Sequence, residues 1–183
     1  MPRIEKVDVD NAQGKAGELL DGVKQQMGGV PNVLATMAHS PASLDAYLRF
    51  GQAVGEGELG AALREQIAVA VAGANACGYC ASAHTMLGSK NGVSDDELSR
   101  NLSGDSEDDR TRAAVRFARK LVETRGFVSD EDIESVRSAG FGDGEVIEII
   151  AVVAINTFTN YFNHVAETDV DFPKVEVGAP VGG

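Results

Sequence analysis

At 183 residues the chain is long enough for one domain with a substantial buried core, and an apolar content of 43% is ordinary for a globular fold. A net charge of -12 argues against binding nucleic acid through its phosphates. No unbroken apolar run approaches the length of a membrane span, so no membrane partner is expected.

The opening MPRIEKVDVDNA lacks an apolar stretch and is not expected to be a signal peptide. Residues 1–10 read as extended or flexible. A single helical domain is expected over 11–168, followed by an extended, partly mobile tail over 169–183. Ala16, Leu19, Leu20 and Val23 repeat at helical spacing until Gly28-Gly29 breaks the pattern. Pro31 opens a short helix, and Ser40-Pro41 restarts the chain into a helix with Leu44, Tyr47 and Leu48 on one face. An alanine-rich helix is predicted over Leu59–Ala76, with a helical continuation over Cys77–Lys90. Ser94 with Glu97, and Ser129 with Asp132, have the spacing of helix-capping pairs. Between them Ala114, Phe117, Ala118 and Leu121 mark another helix. The last predicted helix, Gly144–Glu167, is apolar around most of its circumference. No stretch alternates as a strand would, so the expectation is an all-α fold of about eight helices. Glu148-Ile-Ile-Ala-Val faintly echoes Glu65-Gln-Ile-Ala-Val, hinting at two related helical hairpins.

Both cysteines fall in one stretch, Glu65–His84, as C-x-x-C with a histidine after it. On a helix Cys77, Cys80 and His84 share one stripe. Two thiols in a chain without a leader point to a reducing, cytoplasmic setting and to redox, catalytic or metal-binding work. A thioredoxin-like motif should follow a strand, whereas a helix precedes this one. A zinc site needs a fourth ligand beside Cys77, Cys80 and His84, from His39, His164 or Glu65. Two buried, inert thiols are a further reading. The remaining one is a redox-active dithiol. In it a Cys80 thiolate attacks a peroxide and Cys77 condenses with the sulfenic acid to a disulfide. His39 reads as a helix-end residue, and His164 and Asn160 as polar positions satisfied in the core, at an interface or, for His164, along the active-site pocket. Arg110, Arg112, Arg116 and Arg119 read as a solvated face.

Glu65, Cys77, Cys80 and His84, at their mutual spacing, resemble the signature of the alkyl hydroperoxidase D-like branch of the carboxymuconolactone decarboxylase superfamily. GGVPNVLATMAHSP and Asp45-Ala-Tyr47 resemble its peroxidase-related members. The resemblance is strong over about residues 60–90 and weaker over about 28–165. It implies an all-helical fold, homo-oligomeric assembly, and peroxide reduction with no cofactor and no metal beyond the two thiols. By position, Cys80 is then the peroxidatic cysteine, Cys77 the resolving one, and Glu65 and His84 the proton relay. The implied partners are a small hydroperoxide and a dithiol or protein reductant. Tyr79 departs from the pattern, since the prototype has a histidine there. The alternative from another class is a non-enzymatic redox sensor or zinc-binding protein using Cys77, Cys80 and His84.

Overall fold

The computed structural model describes residues 1–179. The end of the expected tail, 180–183, lies outside the described residues. Among the described residues the fold is all-α, with nine α-helices, one short 3-10 helix (Val9–Asn11) and no strand. The helices are α1 (Gly14–Met27), α2 (Asn32–Met37), α3 (Pro41–Gly55), α4 (Ala61–Ala74), α5 (Gly78–Lys90), α6 (Asp95–Leu102), α7 (Asp109–Thr124), α8 (Asp130–Ser138) and α9 (Asp143–Ala166).

Local chemistry sets most of their ends. Ser40 caps α3 by accepting from Ser43 N, with Pro41 in the first turn. Ser129 and Asp132 form the reciprocal capping box of α8. Ser94 caps α6 through Glu97 N, but the Glu97 carboxylate does not turn back to its own helix start. It accepts instead from Gln66, Asn101, Ser106 and the Glu107 amide, tying the α6–α7 loop to α4. The spacing that suggests a local box thus serves a tertiary contact.

Two apolar clusters share α4 as their common wall. One packs Ile67 and Val71 of α4 against α7, α8 and α9. The other packs Ala72, Cys77, Cys80 and Ala81 against α1, α2 and α3. Gly73 permits this closeness: a Cβ there would stand 2.1 Å from Leu102 O, at the end of α6. α9 is long and apolar enough to cross a membrane by length and composition alone. The absence of an unbroken apolar run hides this, because asparagines and threonines punctuate the helix. It is nonetheless a core helix, packed against α3, α4, α5 and α7.

The segments before α1 and after α9, as far as residue 179, fold back onto the bundle. Arg3 N donates to Ala166 O (2.8 Å) and Val7 N to Ala35 O (3.3 Å). Among the described residues beyond α9 the chain runs without regular secondary structure across α2 and α5. There Asp171 accepts from Asn32 N (2.8 Å) and Val175 N donates to Ser82 Oγ (2.9 Å).

Candidate active site

The site is built at the junction of α4 and α5. Asn75 ends α4, and Ala76 turns the chain with a φ of 55°, the left-handed region that glycine usually fills. Cys77 N then reaches back to Ala72 O (2.9 Å) and Ala76 N to Gly73 O (3.3 Å), which closes a Schellman turn. The same Cys77 is the N-cap residue of α5. Cys80 therefore lies in the first turn of α5, where unpaired amides and the helix dipole favour an anion.

Both cysteines are free thiols, 1% and 3% exposed. The interaction of the Cys77 thiol with the Cys80 sulfur, together with burial, pushes Cys77 up, and the same interaction holds Cys80 below an ordinary thiol. Burial opposes the lowering at Cys80, while the His84 charge, Asn163 and Thr159 support it. His84 follows Cys80 by one turn, and its Nδ1 meets Glu65 Oε2 at 2.7 Å. Burial would lower the imidazole, but the Glu65 carboxylate and Cys80 outweigh it and raise His84 above its usual value. All four residues singled out in the sequence, Glu65, Cys77, Cys80 and His84, thus meet in one place. Cys80 and His84 open onto an almost wholly apolar cavity of about 240 Å³. A larger adjoining recess shares Met27, Pro31, Gly51, Leu87 and Phe172 with it and is lined also by Glu65, Lys90 and Asp171.

The other polar candidates separate. His39 is exposed, with Nε2 2.8 Å from Glu5 O. His164 is exposed on α9 and does not line the cavity, whereas its neighbour Asn163 does. Asn160 is fully buried and accepts from Asn75 Nδ2 (2.9 Å). Arg110 lies over the Phe141 ring and pairs with Glu145 at 2.6 Å. Tyr79 Oη points away from the sulfur: it donates to Asp171 Oδ1 (2.7 Å) and accepts from Val33 N (3.2 Å). Among the described residues no group of three His, Cys, Asp or Glu side chains is placed to hold a metal ion, so the zinc reading has no ligand set there.

Residues 41–123, which span the Cys77–His84 motif and Glu65, match the carboxymuconolactone decarboxylase family. The fold is similar to that of a peroxidase-related protein with an alkylhydroperoxidase AhpD core from Ralstonia eutropha JMP134. The two are 27% identical, with a TM-score of 0.81 over 93% of this chain and 92% of that one. The stretch 41–123 is thus of the carboxymuconolactone decarboxylase family, and the fold around it is AhpD-like.

The AhpD-like fold recurs in a peroxidase-related protein from Silicibacter sp. TM1040, 24% identical, with a TM-score of 0.79 over 91% of this chain and 92% of that one. It recurs also in a debrominase crystallised with 2,3,4-tribromopyrrole, 20% identical, with a TM-score of 0.78 over 92% of this chain and 91% of that one. The same fold thus occurs in proteins named for different activities. Among curated proteins none matches the chain at significant similarity.

Reading the chain alone draws attention to the histidines and misses Asn163. The available signal is the spacing of Asn156, Thr159, Asn160 and Asn163, a polar stripe on an apolar helix of the AhpD-like bundle.

Proposed function

We propose that the protein is a thiol-dependent hydroperoxidase. The observation that carries the reading is the Glu65–His84 pair, 2.7 Å apart, one helical turn from a depressed cysteine that opens onto an apolar cavity. The Cys80 thiolate attacks the terminal oxygen of a small organic hydroperoxide. The O–O bond breaks, and the departing alkoxide takes a proton from the His84 imidazolium, so an alcohol leaves and Cys80 becomes a sulfenic acid. The Cys77 sulfur then attacks the Cys80 sulfur, its proton leaves with the hydroxide as water, and a disulfide forms. Glu65 holds the imidazole in orientation and favours its protonated form. An external dithiol, small or protein-borne, reduces the disulfide and restores both thiols. No cofactor is needed beyond the two sulfurs, and a reducing compartment, the cytoplasm, suits the cycle.

Peroxide consumption with dihydrolipoamide or thioredoxin as donor tests this. Cys80→Ser should abolish consumption. Cys77→Ser should give one oxidation event, with the sulfenic acid trapped on Cys80, and no turnover. Sulfenic acid on Cys77 in the wild-type background would reverse the assigned roles. Oxidation to the disulfide without turnover under any dithiol would favour the redox-sensor reading.

A further inference from the structure

Four polar side chains on α9 are buried where the helix crosses α4 and α5: Asn156, Thr159, Asn160 and Asn163. A buried amide is tolerated when its hydrogen bonds are made. Asn156 Nδ2 donates to Val152 O (2.9 Å), Asn160 accepts from Asn75, and Thr159 Oγ1 donates to Asn156 O (3.0 Å). Asn160 Nδ2 and Asn163 Oδ1 are both buried without a partner among the described residues, but only Asn163 turns its other amide atom to a sulfur. Its Nδ2 donates to Cys80 Sγ at 3.3 Å, and its Oδ1, shielded from solvent, has no partner among the described residues. The amide is therefore held for the sulfur at the expense of its own carbonyl. Asn163 also lines the cavity onto which Cys80 opens.

We propose that Asn163 is a catalytic residue, whose amide N–H holds the Cys80 sulfur as a thiolate at the cavity wall. The inference deepens the hydroperoxidase reading and rests on Cys80 being its nucleophile. A hydrogen bond to a charged acceptor is stronger than one to a neutral acceptor, so the amide favours the thiolate over the thiol. Helix α9 thereby supplies the side of the sulfur opposite to its own motif. The titratable groups around Cys80 are Cys77, Tyr79 and His84 on and beside α5, Glu65 on α4, and Tyr47 on α3.

The test is the pH profile of Cys80 alkylation by iodoacetamide in the reduced protein, followed by mass spectrometry and without peroxide. Asn163→Leu keeps the branched shape and removes both the donor and the orphaned carbonyl. Its midpoint should move alkaline, with alkylation at neutral pH slowed about tenfold, while thermal stability holds or rises. Asn163→Asp replaces the donor by a carboxylate and should move the midpoint further in the same direction. A merely structural role predicts lowered stability and an unmoved midpoint. Should Asn163→Leu fail to fold, Asn163→Asp carries the measurement. A wild-type midpoint in every folded variant overturns the proposal, even if peroxide turnover is established. A shifted midpoint in a protein that consumes no peroxide sustains the role at sulfur and sinks the hydroperoxidase reading instead.

Discussion

Glu65 and His84 are nineteen residues apart in the chain and 2.7 Å apart in space. A carboxylate in a mostly apolar helix is costly without a partner, and the imidazole supplies one. Cys80 and His84 set a pH profile whose sign follows from their two shifts. As pH rises, activity should climb as Cys80 ionises, at a midpoint below that of an ordinary thiol. It should fall again as His84 loses its proton, at a midpoint above that of an ordinary imidazole. Together the two limbs give a bell in kcat/KM. Glu65→Gln removes the charge that raises His84. The falling limb should then move to lower pH and the peak rate drop by about 100-fold, with the fold intact. Unchanged kinetics in a folded Gln variant would reduce Glu65 to a structural role. The residue types of the motif are legible in the sequence because C-x-x-C, histidine and a lone glutamate stand out from apolar surroundings. Asn163 is not, because an asparagine on a helix looks alike whether it meets solvent, backbone or sulfur.

At the scale of elements, the turn between α4 and α5 sets the position of both thiols. Ala76 occupies a left-handed conformation that costs an L-residue about 1–2 kcal/mol. Ala76→Gly should stabilise the protein by about 0.5–1 kcal/mol in urea unfolding, the remainder being lost to the freer unfolded glycine. Loss of stability would mean that the alanine methyl packs more than it strains. The chain after α9 is the second element that shapes the site. Tyr79 ties it down through Asp171, and Phe172 meets the Tyr79 ring edge-on at 5.5 Å while lining the cavity. Tyr79→Phe removes one donor and leaves the Val33 amide unpaired, at a cost of about 1–3 kcal/mol. Limited proteolysis should then cut the segment after residue 168 sooner. Cys80 alkylation should stay close to wild type, because the hydroxyl points at Asp171 rather than at sulfur. A lost thiolate would instead give Tyr79 a part in the proton relay. The echo between Glu65 and Glu148 also divides here. Glu148 accepts from the Glu58 and Leu59 amides at 2.9 Å each and pins the α3–α4 loop, while Glu65 serves the imidazole.

For the whole molecule, the outward face of α9 is the open question that the bundle poses. Ile147, Tyr161 and Val165 are 66%, 58% and 62% exposed, and Ile150 and Phe158 are exposed in line with them. With the exposed Ala154 they advance by three or four residues at each step, a continuous apolar stripe. Such a surface exceeds what a lone chain usually presents to water, and a two-fold copy is the commonest cover. We therefore expect a homo-oligomer with α9 in the interface. Light scattering at micromolar concentration should give at least twice the 19.2 kDa of one chain. Tyr161→Glu should shift it towards monomer. A wild-type monomer would leave the stripe to some other partner.

The sequence by itself determined the all-α class and most helix ends, and it marked out Glu65, Cys77, Cys80 and His84 as polar groups in apolar surroundings. These follow from local rules: helical periodicity, capping side chains, and polar groups whose burial demands a partner. What only the tertiary structure decided is what each polar group faces. Glu97 leaves its own helix for α4 and the α6–α7 loop, His164 turns out to solvent, Tyr79 holds the C-terminal segment, and Asn163 reaches the Cys80 sulfur across 83 residues of chain. Spacing along a helix determines which side chains share a face. Only the packing of α9 against α4 and α5 determines what that face meets.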